Sequence, residues 1–123
     1  SDYFEFDRPS PFMLFVANVR SDKRTIPAVT HVDGSARLQT ISREQHALFY
    51  DLIAEFDRQT RCPVLINTSF NVRGEPIVCT PEDAWRCFMR TEMDCLVMGS
   101  FILEKGKLGD YKQEVLQEEF ELD

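Results

Sequence analysis

Hydrophobic and polar positions change period several times along the chain, and each change marks an element. Residues 12 to 17 form the longest uninterrupted apolar run, and they predict a buried strand over 12 to 20, entered through the turn-prone Arg8-Pro9-Ser10-Pro11. Ser21-Asp22-Lys23-Arg24 is a polar turn. Residues 25 to 32 then read as extended, and Asp33-Gly34 offers the positive φ that a tight turn needs, so a hairpin into 36 to 41 is expected. Ser42-Arg43-Glu44-Gln45 fits a capping box, in which a hydroxyl and a side-chain amide satisfy free N–H groups at a helix start. Leu48, Phe49, Leu52, Ile53 and Phe56 follow at three- and four-residue spacing and predict an amphipathic helix to about residue 60, its apolar stripe facing a core.

Pro63-Val64-Leu65-Ile66 predicts a short buried strand, and residues 67 to 74 break both periods. Thr80-Pro81-Glu82-Asp83 is a second helix start, with Thr80 as cap, Pro81 where a missing N–H costs nothing, and acids facing the helix dipole. Ala84, Cys87 and Phe88 should form its inward face. Residues 95 to 98 and 101 to 103 predict two strands around Gly99-Ser100. Beyond Gly109, Val115, Leu116 and Phe120 stand at helical spacing in an acidic stretch, and a docked helix and a frayed tail both remain open. Strands and helices interleave, so the expected fold is α/β, a mixed sheet covered by at least two helices.

The length of 123 residues suits one domain. Lys and Arg number 14 against 21 Asp and Glu, but residues 110 to 123 hold six acids and one lysine, a net of −5, which leaves −2 of the total −7 for the rest. That balance disfavours non-specific binding to nucleic acid or an anionic membrane, which needs a cationic field, and leaves room for a small basic pocket. A six-residue apolar run is far short of the roughly 20 that cross a bilayer. The first residues, with Asp2, Glu5 and Asp7, lack the pattern of a secretory signal, as a processed chain would also. Cys62, Cys79, Cys87 and Cys95 form no C-x-x-C pair and read as reduced core thiols of a cytoplasmic protein, and His31 and His46 lack zinc-ligand spacing to them.

Two segments could carry chemistry. His31, Asp33, Ser35 and Arg37 cluster around the Gly34 turn, and the guanidinium of Arg37 can hold a phosphate or carboxylate through two parallel hydrogen bonds. The alternative is an ordinary hairpin with a surface ion pair. Asn67, Thr68, Ser69, Asn71, Arg73 and Glu75 follow the 63 to 66 strand, where α/β proteins present donors to ligands. These types suit nucleotide oxygens better than nucleophilic catalysis, because no local base is placed to activate Ser69. Here the alternative is a polar loop closing its own turns. Phosphate-loop, dinucleotide, zinc-protease and serine-hydrolase signatures are absent. Glu92 and Asp94 read as a solvated turn, and Trp85 and most of the ten phenylalanines are expected in the core.

Residues 26 to 40, Pro63-Val64-Leu65-Ile66-Asn67-Thr68-Ser69-Phe70-Asn71, and Gly74-Glu75-Pro76-Ile77-Val78 through Thr80-Pro81-Glu82-Asp83-Ala84 together resemble the C-terminal domain of the NodU/CmcH family of O-carbamoyltransferases, over residues 3 to 105. The resemblance implies a YrdC/Sua5-like fold that binds ATP and carbamoyl phosphate and forms a carbamoyl-adenylate. A separate N-terminal Kae1-like part, which holds the metal ion, then transfers the carbamoyl group to a substrate hydroxyl. It further implies that Arg37 and Ser69 are catalytic, that His31, Asn67, Thr68, Asn71 and Arg73 bind substrate or nucleotide, and that these residues hold no metal. The domain would cover residues 1 to 109, with 110 to 123 a tail or docked helix. The family's K-x-R-E-x-F-R-P-F-A-P stretch is missing, so the chain is expected to be an N-terminally truncated, incomplete copy of the domain, inactive alone. A sheet edge exposed by such a cut could drive homodimerisation. Alternatives are a non-catalytic module docking on the transferase part and, more weakly, an RNA-linked YrdC relative.

Overall fold

The computed structural model describes residues 2–109. In chain order the elements are β1 (Phe15–Asn18), 3-10 turns at Ser21–Lys23 and Pro27–Val29, β2 (Ser35–Leu38), α1 (Ala47–Thr60), α2 (Pro81–Arg90), β3 (Cys95–Met98), β4 (Phe101–Glu104) and a 3-10 turn at Lys105–Lys107. They fall into two compact units that divide between Asn67 and Thr68. The α/β character holds, but in place of one mixed sheet the described residues form two two-stranded antiparallel sheets, β1 with β2 and β3 with β4. Residues 63 to 66, expected as a strand, join no ladder. Pro63 has no N–H to offer a neighbouring strand, and Ile66 is exposed rather than buried.

In the first unit β1 pairs with β2 in the register Phe15↔Leu38, Ala17↔Ala36. Ala36 and Leu38 bury their side chains with Val19 and Ile26, and Tyr3, Phe4, Phe6, Val29, Cys62 and Val64 pack around them. The partner of β2 is therefore β1 and not residues 25 to 32, where Pro27 removes an N–H and fixes a φ suited to the 3-10 turn that forms instead. The Asp33-Gly34 turn is present. Gly34 has φ +85°, its N–H donates to the His31 carbonyl at 2.9 Å, and an added Cβ would stand 2.9 Å from the Arg24 guanidinium. The 12 to 20 strand is shorter than expected and sits at the surface, with Phe12, Leu14, Phe15 and Val16 exposed.

Helix α1 begins five residues beyond Ser42. The Gln45 amide oxygen does accept from the Ser42 N–H at 2.9 Å, which is half of the expected box. The Ser42 hydroxyl, however, turns to the Glu44 carboxylate, which the Glu44 backbone N–H and that hydroxyl hold below the usual range. His46 takes over as cap, its Nδ1 accepting from the Phe49 N–H at 3.1 Å. Arg61 ends the helix at φ 62°, in the left-handed region. No residue of α1 is buried, and its apolar stripe stays in solvent, with Leu48 77%, Leu52 55% and Phe56 37% exposed.

The second unit follows its pattern closely. Thr80 Oγ accepts from the Asp83 N–H at 3.1 Å while the Asp83 carboxylate accepts from the Thr80 N–H at 3.0 Å, a complete capping box with Pro81 in the first helical position. Ala84, Phe88 and Met89 of α2 bury against Leu96, ringed by Phe70, Val78, Trp85, Met98, Leu103 and Leu108. Strands β3 and β4 pair Leu96↔Leu103 on that face and Val97↔Ile102 on the exposed one. The Lys105 ammonium closes the C-terminus of α2, donating to the Phe88 carbonyl at 2.5 Å and to the Thr91 carbonyl, 4.5 Å over the Phe88 ring. All four cysteines are free, but only Cys87 is a core thiol; Cys62 is half-buried, and Cys79 and Cys95 are exposed. Among the described residues no helix is long and apolar enough to cross a membrane. The segment from 110 to 123 lies outside the described residues.

Candidate functional site

Side chains alternate along β2. Ala36 and Leu38 point into the core, so Ser35 and Arg37 project from the opposite face. Ser35 is covered there by His31, whose Nδ1 lies 2.9 Å from the Ser35 hydroxyl. The turn supplies the third member, because Asp33 Oδ1 accepts from the Ser35 N–H at 2.9 Å. The Ser35 hydroxyl and then its N–H hold the Asp33 carboxyl below the usual range, with His31 adding a smaller pull. Asp33 is thus occupied within its own turn and His31 has a fixed orientation.

Arg37 stands exposed opposite Val16 and makes no hydrogen bond or ion pair with the other described residues. The surface ion pair that was its alternative role is not formed there. Two residues further on, Gln39 accepts from the Asn67 amide at 2.6 Å and donates to the Pro11 carbonyl at 3.0 Å. The first unit therefore fastens Asn67 beside the end of β2. Gln39 was missed by sequence reasoning, although its even spacing from Ser35 and Arg37 carried the signal.

The remaining candidates belong to the second unit. Thr68 and Ser69 are exposed, and neither side chain is hydrogen-bonded to another described residue. Among the described residues no base is within hydrogen-bond reach of Ser69, whose hydroxyl can serve as donor or acceptor. Asn71 behaves differently. Its amide nitrogen donates at 3.1 Å both to the Val72 carbonyl and to the Glu75 carbonyl, so its donors hold the loop and only its oxygen is left for a ligand. Glu75 in turn pairs with Arg90 of α2 at 3.1 Å, half-buried, and steadies the same loop. Arg73 is exposed and makes no ion pair with the described residues.

Residues 1–105 match the family model described as carbamoyltransferase C-terminus. The chain is 51% identical over a 144-residue alignment to an uncharacterized protein of Synechocystis sp., covering 99% of this chain and 23% of that protein. It is 46% identical over 109 residues to nodulation protein NolO of Bradyrhizobium diazoefficiens, covering 85% and 20%. With nodulation protein U of Rhizobium tropici it shares 47% identity over 87 residues, covering 70% and 15%. The chain thus spans less than a quarter of the length of these curated relatives.

Proposed function

Since the chain belongs to the carbamoyltransferase C-terminus family, we propose that it is the carbamoyl-activating part of an O-carbamoyltransferase, with a YrdC-like pocket for ATP and carbamoyl phosphate. The observation that carries this reading is Arg37, an exposed guanidinium on a strand face with no carboxylate engaging it among the described residues. Such a fork suits a phosphate or carbamate. Within the second unit, taken by itself, the hydroxyls of Thr68 and Ser69 and the charge of Arg73 are of types that suit anionic oxygens. His31 and Asn67 shape the surface around Arg37, and Asn71 keeps its loop in form. In the step itself, water cleaves carbamoyl phosphate into carbamate and inorganic phosphate, a carbamate oxygen attacks the ATP α-phosphorus, the bond to the oxygen bridging the α- and β-phosphates breaks, and pyrophosphate leaves. Positioning and charge neutralisation are what the protein must supply. The metal-dependent transfer to a substrate hydroxyl belongs on this reading to an N-terminal part of a longer, cytoplasmic enzyme.

Isothermal titration of the chain with ATP and with carbamoyl phosphate tests the site. Arg37→Ala should weaken binding by about tenfold or more, since a charge-assisted fork is lost, and Ser69→Ala by less. Parent-like affinity in both variants would remove the assignment. In a full-length enzyme Arg37→Ala should abolish carbamoyl-dependent pyrophosphate release.

A second reading, a docking module without ligand chemistry, is favoured by the exposed stripe of Leu48, Leu52 and Phe56. Thermal shift with adenine nucleotides separates the two. Only a ligand that binds the folded chain raises its melting temperature, and the docking reading expects no rise.

A further inference from the structure

We propose that the first unit carries an additional anion site, centred on Arg8, for a carboxylate or phosphate borne on a ring or short apolar body. This does not rest on the carbamoyl-activation reading. A groove of about 700 Å³ opens among Phe4, Phe6, Asp7, Arg8, Pro9 and residues 38 to 42 with Gln45, and Arg37 is not in its lining. That volume is in the range of small-molecule sites. The Arg8 guanidinium lies 4.7 Å over the Phe15 ring and 5.5 Å over the Phe6 ring, which hold its plane and leave the N–H fork without a carboxylate among the described residues.

The hydrogen-bond accounts of the other lining side chains give the groove its sign. Thr40 Oγ1 already accepts from the Ser10 N–H at 2.8 Å, so its proton is free to donate. Gln45 spends its amide oxygen on the Ser42 N–H and keeps its amide hydrogens. Gln39 has both ends engaged, with Asn67 and Pro11. The Ser42 hydroxyl is turned to Glu44. What the walls still offer is therefore mostly donors, beside the apolar surfaces of Phe4, Phe6, Leu38 and Ile41. Asp7 balances the formal charge of Arg8, so the anion must be recognised through the paired N–H groups and the apolar wall more than through a net positive field.

Isothermal titration of the 123-residue chain with phenyl phosphate and benzoate, against inorganic phosphate and benzyl alcohol, tests the proposal. The two amphiphilic anions should bind saturably, bare phosphate more weakly, and the neutral alcohol not measurably. Arg8→Gln should lose about tenfold or more in affinity and Arg37→Ala less than about twofold, as expected for loss of a charged fork at one site only. Arg8→Lys keeps a cation over Phe6 and Phe15 but not the fork, and should fall between parent and Arg8→Gln. If Arg8→Gln fails to fold by circular dichroism, Arg8→Lys decides alone. Absence of saturable binding, full affinity in Arg8→Lys, or a loss in Arg37→Ala equal to that in Arg8→Gln would overturn it. ATP and carbamoyl phosphate affinities measured on Arg37→Ala report separately on the proposed function.

Discussion

Helices α1 and α2 are both amphipathic and both capped at each end, yet they are held in opposite ways. The shorter, α2, buries Ala84, Cys87, Phe88 and Met89 and fixes its ends with the Thr80–Asp83 box and the Lys105 ammonium. The longer, α1, buries nothing and depends on the His46 cap and surface pairs. In one of these pairs Glu55 accepts from Arg58 and Gln59, which hold its carboxyl down to about 2. Exposed pairs of this kind contribute little, whereas full burial of one large apolar side chain contributes about 1.5–3 kcal/mol. A clear periodicity therefore tells which face of a helix is apolar but not whether anything covers it.

The contrast can be broken most forcefully at Phe88, which is 0% exposed. Phe88→Ala should destabilise the second unit by about 3–5 kcal/mol, read as a lower urea midpoint from Trp85, the only tryptophan of the chain. Next is the cap. Thr80→Ala should cost about 1 kcal/mol by the same probe. The Asp83 carboxyl is held below the usual range by the Thr80 hydroxyl and by the Cys79 and Thr80 N–H groups. Its folded value is depressed, so its contribution is present above the unfolded value of about 3.9 and is lost as pH falls through the folded one. Urea midpoints measured across that acid window should fall more steeply for the parent than for Asp83→Asn.

Smaller effects are expected in α1. Arg61→Gly should stabilise by up to about 1 kcal/mol, because glycine adopts φ 62° without the Cβ penalty; a lower melting temperature would show that contacts of Arg61 outweigh that relief. Leu52→Ala should change stability least, within about 0.5 kcal/mol. A loss above about 2 kcal/mol in that variant would mean that the stripe is covered in solution and would end the contrast between the helices.

Local chemistry made the second unit legible. Thr80, Pro81 and Asp83 are neighbours in sequence, so the box they form needs no distant partner, and the β3–β4 turn at Gly99 is equally local. In the first unit the local signals gave the Gly34 turn, the Arg37 strand and a helix, but three outcomes departed from them, and only one, the choice of strand partner, rests on a contact far along the chain. Strand β2 chose β1 across the intervening residues. Residues 63 to 66 were left without a ladder, and His46 stands as the α1 cap while the Ser42 hydroxyl faces Glu44.

The candidate site divides in the same way. That Arg37, Thr68, Ser69 and Arg73 could serve an anion followed from residue type and from a family pattern spread over much of the chain. Which donors remain free did not, because a hydrogen bond already made is invisible in a list of residue types. Only the fold showed Asn71 spent on its own loop, Gln39 fastening Asn67, and Arg8 stacked on Phe6 and Phe15 with its fork open. By itself the sequence determined the α/β character, the Thr80 cap, the turns at Gly34 and Gly99, and membership of the carbamoyltransferase C-terminus family. The tertiary structure decided strand partners, burial and the availability of each polar group, since these are set by which distant atoms compete for the same hydrogen bond or the same apolar surface.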